Sequence, residues 1–201
     1  MKRPASDIAF TPAVKRVQTE RGSRAAYARL EQQGGFSTAV DEQLRGFLAQ
    51  IDSAFLATAS AEGQPYVQHR GGPKGFIRAL DDATVGFVDF AGNRQYVSTG
   101  NLRENERVCL FLIDYARRRR VKIWGTAKVV AASDELLAKL LPEGYQARPE
   151  QVVLITVSAW DGNCPQHIAQ KLDAADVAQA LGKLEARIAE LERENRALKA
   201  G

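Results

Sequence analysis

Three stretches of the sequence combine cations, hydroxyls, amides and small residues in a pattern suited to an anion. The first runs Gly92-Asn93-Arg94-Gln95-Tyr96-Val97-Ser98-Thr99-Gly100-Asn101-Leu102. Arg94 and Ser98 lie four residues apart where a turn leads into a short helix. A guanidinium, a hydroxyl and the amides of a helix start can therefore converge on one phosphate. The second is Gln68-His69-Arg70-Gly71, which can hydrogen-bond the polar edge of a flat ring and hold a cation beside it. The third is the basic run Arg117-Arg118-Arg119-Arg120 leading into Val121-Lys122-Ile123-Trp124-Gly125. A site built from these parts would serve many phosphorylated ligands. No residue stands out as a covalent nucleophile.

Such residues need a frame, and the pattern between Ala54 and Trp160 is that of strands. Residues 55–60 and 65–70 read as a hairpin with Gly63 in the turn. Further strands are predicted at 76–80, 84–90, 107–115, 121–130 and 151–160, with Asp81-Asp82 as a turn. Short helices are predicted at 99–105 and 133–141. Six or so strands with few helices between them favour an antiparallel barrel over a doubly wound sheet. On a strand the four arginines would alternate, two facing solvent and two facing inward or across an interface.

Before the strands, residues 23–33 have helical character and end at Gly34-Gly35. A clearer helix spans 41–51, with Leu44, Phe47, Leu48 and Ile51 on one face. Thr38, three residues before Asp41, resembles a capping arrangement for its start. After the strands, Val177, Leu181, Leu184, Ile188, Leu191, Asn195 and Leu198 recur at alternating steps of four and three. That is a heptad seam with Asn195 at an a position, the mark of a parallel two-stranded coil. Three regions follow: a basic leader with helices at 1–52, a barrel at 53–170, and a coiled-coil helix at 171–201. The fold class is α+β, mostly β with flanking helices.

Charge and cysteines narrow the function. The net charge is +4, and residues 1–29 hold seven basic against two acidic residues, leaving −1 for the remainder. A basic arm on a nearly neutral body can touch nucleic acid or an acidic membrane. No recognition helix, zinc finger or RNA motif accompanies it, and a solvated, partly disordered leader is the simpler reading. Cys109 and Cys164 are far apart and outside any paired spacing, which argues against a metal or a disulfide framework. No apolar run approaches the roughly 20 residues of a membrane span, nor does the start resemble a secretory signal, so a cytoplasmic protein is expected. His69 and His167 are the only histidines. For His69 a ligand hydrogen bond is expected, and for His167 a bond closing the Cys164-Pro165 turn. Trp124 and Trp160 are expected in the core or an interface.

The order Gly-x-Pro on a hairpin, Arg-Gly-Gly, Gly-Asn-Arg, Ser-x-Gly-Asn-Leu, Asn-x-x-Val and a basic strand ending in Gly resembles the split barrel of pyridoxamine 5′-phosphate oxidase-like proteins. The likeness covers about residues 10–168. It is closest to a branch ending in Asn-Cys-Pro-x-His-Ile, here Asn163 to Ile168. The resemblance implies FMN at a homodimer interface. It places Gln68, His69, Arg70 and Gly71 on the first flavin-contacting strand. Asn93, Arg94 and Ser98 fall in the phosphate turn, and Arg119 and Arg120 on the interface strand. Arg70-Gly71-Gly72-Pro73 stands where the true oxidase has an apolar run ending in Lys, and the segment gripping pyridoxal phosphate is missing. Vitamin B6 oxidation is therefore not expected.

The leading expectation is an FMN-dependent oxidoreductase exchanging a hydride with a small organic substrate at flavin N5, with a nicotinamide as a candidate electron donor. The alternatives are a non-catalytic flavin carrier or sensor, a deazaflavin-dependent reductase on the same barrel, and a nucleic-acid-binding dimer with a vestigial pocket.

Overall fold

The structure is a computed structural model that describes residues 3–163 and 166–200. From Ala5 on, the leader is built largely of helical elements, contrary to the expectation of a solvated arm. A 3-10 turn at Ala5–Ile8 leads to α1 (Pro12–Glu20) and α2 (Arg24–Gln32). Thr11 caps α1 by accepting from the Val14 amide. Lys15 reaches Asp7 at 2.6 Å and Glu31 at 3.0 Å, while Arg24 also pairs with Glu31. Phe10 stands edge-on to Tyr27 and to Phe36. Two of the local basic residues, Lys15 and Arg24, thus help tie these short helices together.

The predicted helix at 41–51 is α3 (Glu42–Leu48), and Leu44, Phe47, Leu48 and Ile51 are all buried. Its cap is Asp41 rather than the expected Thr38. The Asp41 carboxylate accepts from the Leu44 amide at 2.9 Å, satisfying one of the free donors of the first turn.

Seven strands follow, one at each of the segments predicted. They are β1 (Ser53–Ala59), β2 (Pro65–Gly71), β3 (Arg78–Ala79), β4 (Thr84–Phe90), β5 (Arg107–Asp114), β6 (Arg119–Ala131) and β7 (Pro149–Asn163). Helix α4 (Val97–Glu104) precedes β5, and α5 (Asp134–Leu140), capped by Ser133, precedes β7. The sheet order is β2-β1-β5-β6-β7-β4-β3, and β1–β2, β1–β5, β3–β4, β4–β7 and β6–β7 pair antiparallel, giving the expected split-barrel α+β fold. The predicted first hairpin forms, with Ala59 opposite Pro65 and Gly63 at φ +87° in its turn.

One predicted strand is shorter than its apolar pattern suggested. Only Arg78 and Ala79 of the 76–80 segment pair, because Phe76 and Ile77 are drawn into the core. The four-arginine run is not all strand. Residues 115–118 form the turn after β5, with Arg118 at φ +54°, and only Arg119 and Arg120 belong to β6.

Alternation fills the interior. Ala54 and Leu56 of β1, Leu110 and Leu112 of β5, and Val121 and Ile123 of β6 point into the main cluster with the α3 face. Trp160 is buried, and its indole donates to the Ala39 carbonyl at 2.8 Å; Trp124 stacks on Phe36 at 5.3 Å. On the other face of the sheet, α5 covers Val88 and Val152 through Leu140.

A separate small unit comprises Tyr115–Arg119 and the chain beyond the barrel. Within it, Arg118 Nε donates to the Ile168 carbonyl, Gln170 donates to the Ala116 carbonyl, and Lys171 lies over the Tyr115 ring at 4.3 Å. The tail is α6 (Ala174–Ala200). No helix among the described residues is long and apolar enough to cross a membrane.

Gly125 sits at a register shift between β6 and β7, where a Cβ would lie 2.1 Å from the Thr156 carbonyl oxygen. Gly125→Ala should therefore cost about 1–3 kcal/mol, as overpacking does. Gly46→Ala, in α3 with open space around its position, should instead gain about 0.5–1 kcal/mol. Chemical denaturation of the two variants checks both signs.

Candidate functional site

Strand β2 alternates half-buried and exposed residues, so Gln68 and Arg70 share one face while His69 and Gly71 share the other. Arg70 reaches across to Asp89 of β4 with Nη1 to Oδ1 at 2.5 Å, and both side chains are only 13% exposed. In hydrogen-bonding order β2 is one edge of the sheet and β4 is next to the other. The ion pair therefore bridges the two ends of the sheet where no backbone ladder joins them.

A polar network spreads from this pair. Gln68 Oε1 accepts from Arg70 at 3.0 Å and from the Ser98 hydroxyl at 2.8 Å. Gln151 Nε2 donates to the second Asp89 oxygen and to Thr99 Oγ1, each at 2.9 Å. Two strands and α4 are thus tied to β4. Asn101 and Asn105 hold α4 from the other side, donating to Thr58 Oγ1 and to the Ser60 carbonyl. This is the physical role of the asparagines in the Ser-x-Gly-Asn-Leu and Asn-x-x-Val motifs: they pin α4 at its middle and its far end, away from its start.

That start is preceded by an unusual turn. Arg94 and Tyr96 both adopt left-handed backbone, φ +60° and +54°. For residues with a Cβ this costs about 1–2 kcal/mol each. Tyr96 is the residue before α4, and no side chain caps the helix. The free amides of the first turn remain available to an anion. Arg94 is exposed, and its Nε donates to the Tyr96 hydroxyl at 3.1 Å; that hydroxyl donates to Glu150 at 2.5 Å. The hydrogen bond to Tyr96, and behind it the field of Tyr96 and Glu150, push the Arg94 guanidinium up, so it stays charged.

A cavity of about 300 Å³ opens here, lined among others by Gln68, Arg70, Asn93, Arg94, Ser98 and Glu150. A neighbouring cavity of about 390 Å³ shares Thr99 and Glu150 with it and adds Arg103 and Lys128. The residues fit a phosphorylated ligand in three respects: the uncapped helix start, the charged Arg94 at the rim, and the Arg70 Nε, which is buried with no partner. Ser98 is 2% exposed and gives its one hydroxyl proton to Gln68. It can donate to a phosphate only when Gln68 turns away.

Five of the sequence-predicted residues, Gln68, Arg70, Asn93, Arg94 and Ser98, line one cavity. His69 faces the other side of β2, where its Nε2 meets Ser53 Oγ at 2.9 Å and its ring stands against Phe55. Gly71 lies on that face too, and a Cβ there would come within 3.0 Å of the His69 ring. Arg120 is half-buried at the start of β6, and Arg119 beside it is exposed. Cys164 and the turn it was expected to form with Pro165 lie outside the described residues, while His167 is exposed with φ +61°. Cys109 is half-buried, and burial pushes its thiol up against the weaker pull of Lys122, a poor state for a nucleophile.

Sequence reasoning missed Asp89, Tyr96, Thr99, Glu150 and Gln151. Asp89 looked like one more residue of a strand. Its role appears only in the register, which sets it opposite Gln151 and within reach of Arg70.

Breaking a buried pair from one side strands the other charge. Asp89→Ala should destabilise the protein by about 3 kcal/mol, while Lys139→Ala, which removes an exposed partner of Glu135, should cost about 0.5 kcal/mol. Urea midpoints of the two variants test the contrast.

Comparison with known proteins places this geometry. No curated protein matches the chain. Among solved structures, HupZ of Group A Streptococcus is 22% identical, with a TM-score of 0.50, covering 66% of this chain and 99% of that one. An FMN-binding protein from Syntrophomonas wolfei subsp. wolfei is 9% identical, with a TM-score of 0.46, covering 73% and 97%. At such identities the likeness is one of fold. The family model for pyridoxamine 5′-phosphate oxidase matches residues 40–164, a span that holds α3, all seven strands and the whole polar network. The chain belongs to the pyridoxamine 5′-phosphate oxidase family.

Proposed function

We propose that the chain is an FMN-binding flavoprotein, an oxidoreductase that works as a homodimer on a small organic substrate. The observation that carries this reading is the cavity where Arg94, Ser98 and the uncapped start of α4 meet Gln68 and Arg70. Family membership supports FMN as the ligand, since the cavity chemistry alone suits many phosphates.

In this reading Asn93, Arg94 and the first amides of α4 hold the terminal phosphate, and Ser98 joins them once Gln68 releases its proton. Gln68 then turns its amide toward the polar edge of the ring system. Arg70 stays anchored to Asp89 and presents its unpartnered Nε to the same edge, a fixed cation that favours a reduced, negatively charged ring. Arg119 and Arg120 would act from the interface strand. Bound FMN would supply a two-electron centre able to exchange a hydride with the substrate. A cavity of about 300 Å³ lies at the lower end of ligand pockets, which suits a half-site completed by a second copy.

Purified protein should release a yellow ligand with the absorbance and mass of FMN, or take up FMN on reconstitution. Colourless protein that rejects FMN would overturn the reading. Loss of one charge-assisted contact is worth about 1.5–3 kcal/mol. Arg94→Ala should therefore weaken FMN binding roughly 10- to 100-fold, with Arg117→Ala close to wild type in the same fluorescence titration. Equal affinities would mean the phosphate lies elsewhere. Stopped-flow mixing with NADH or NADPH separates the enzyme from a carrier: rapid bleaching of the flavin supports a nicotinamide-fed oxidoreductase, and an unreduced flavin supports a carrier or sensor. Competition between FMN and the deazaflavin cofactor addresses the remaining alternative.

A further inference from the structure

The tail helix α6 carries an apolar stripe that is exposed along its length. Leu181, Leu184, Ile188, Leu191 and Leu198 are 54%, 61%, 56%, 46% and 83% exposed, and Asn195 between them is exposed as well. A solvated helix has no use for five large apolar residues in a single line. Their spacing keeps to a heptad through three repeats, with Leu181, Ile188 and Asn195 at a and Leu184, Leu191 and Leu198 at d.

We infer that α6 is an interaction surface for a second copy of the same chain, the two helices running parallel and in register as a two-stranded coil. Charge complementarity selects this occupant. With Leu181 at a, Arg187 and Glu194 take g, while Glu192 and Lys199 take the following e. In a parallel pair Arg187 faces Glu192 of the second copy and Glu194 faces Lys199, both of opposite sign. The pairing is self-complementary, as a two-fold contact between identical surfaces requires.

Orientation and register follow from Asn195 and from the charges beside the seam. Side by side in register, Asn195 meets the same residue of the second copy, and two amides can bond to one another. In a fully overlapped antiparallel pair Asn195 would lie among the apolar residues near Leu181, with its amide unpaired. The same arrangement would set Glu185 beside Glu192 of the second copy, two like charges at the seam edge. In the single chain Arg187 instead pairs with Glu190, and Arg196 lies 4.0 Å from Glu192. These are exposed contacts within one helix, weak enough to be exchanged when a second helix arrives. Three heptads make a short coil, so the full chain is the proper object for a test.

In full-length protein with Cys109→Ser and Cys164→Ser, Leu198→Cys places a thiol at a d position, and Arg193→Cys places one on the outer face. Under mild oxidation with oxidised glutathione, Leu198→Cys should form disulfide-linked dimers about tenfold faster than Arg193→Cys, through the high effective concentration of a paired seam. Adding Leu184→Glu and Leu191→Glu should remove that advantage without altering circular dichroism of the barrel strands. Equal rates for the two thiols, or a Leu198→Cys protein that stays unlinked, would overturn the proposal. A Val177→Cys chain linking to a Leu198→Cys chain faster than either links to itself would mean opposite orientation, and would overturn it equally.

Discussion

The polar site depends on one contact, the buried ion pair between Arg70 and Asp89. A sheet of seven strands in the order observed has two ends, and its backbone ladder says nothing about whether they meet. Here a guanidinium from β2 bonds a carboxylate from β4 across the gap. The carboxylate is in turn held by Gln151 of β7, which also holds Thr99 of α4. Removing two charges from water is expensive unless geometry and extra hydrogen bonds offset it. The network provides those bonds, so the pair acts as a fastener with a fixed register. An apolar contact between the same strands could close the barrel equally well, but it would leave no polar group aimed into the opening.

That choice explains why the cavity is polar and where its charge is free. Arg70 is already compensated by Asp89, and Glu150 sits within the reach of Tyr96 and so near Arg94. A dianion arriving here would not find a bare basic patch. It would find one exposed guanidinium, a set of helix amides without a cap, and a hydroxyl whose proton is on loan to Gln68. Strongly basic surfaces attract any polyanion. A site whose cations are mostly paired favours a ligand that can also fill shape and satisfy the ring-edge groups. The left-handed backbone at Arg94 and Tyr96 fits this picture, because a strained turn persists only where its surroundings hold it in place.

Much of the frame was legible in the sequence because it follows from periods. Alternation located β1, β2, β4 and β7, and the 3.6-residue stripe of Leu44, Phe47, Leu48 and Ile51 located α3. What escaped follows from contacts that no local pattern records. Thr38 and Asp41 are both plausible caps by type, and only the path of the chain decides between them. The leader looked solvated because its basic residues dominate its composition, yet Glu31 lies far enough along the chain to gather Lys15 and Arg24. His69 and Arg70 look equivalent as neighbours in a motif, but strand alternation sends them to opposite faces.

The candidate site shows the same division more sharply. Residue type found the donors, since arginine, serine and asparagine advertise their hydrogen bonds. It could not find Asp89, Glu150 or Gln151, which matter because they limit what those donors are free to do. A carboxylate in a sequence is normally a solvated charge, and its meaning changes only when a distant strand delivers a guanidinium to it. The polar chemistry of this barrel is therefore set less by which cations it has than by which of them the fold leaves unspent. That quantity is a property of register, fixed by how β4 and β7 align and by where α4 is pinned, and it becomes readable only once the sheet has closed.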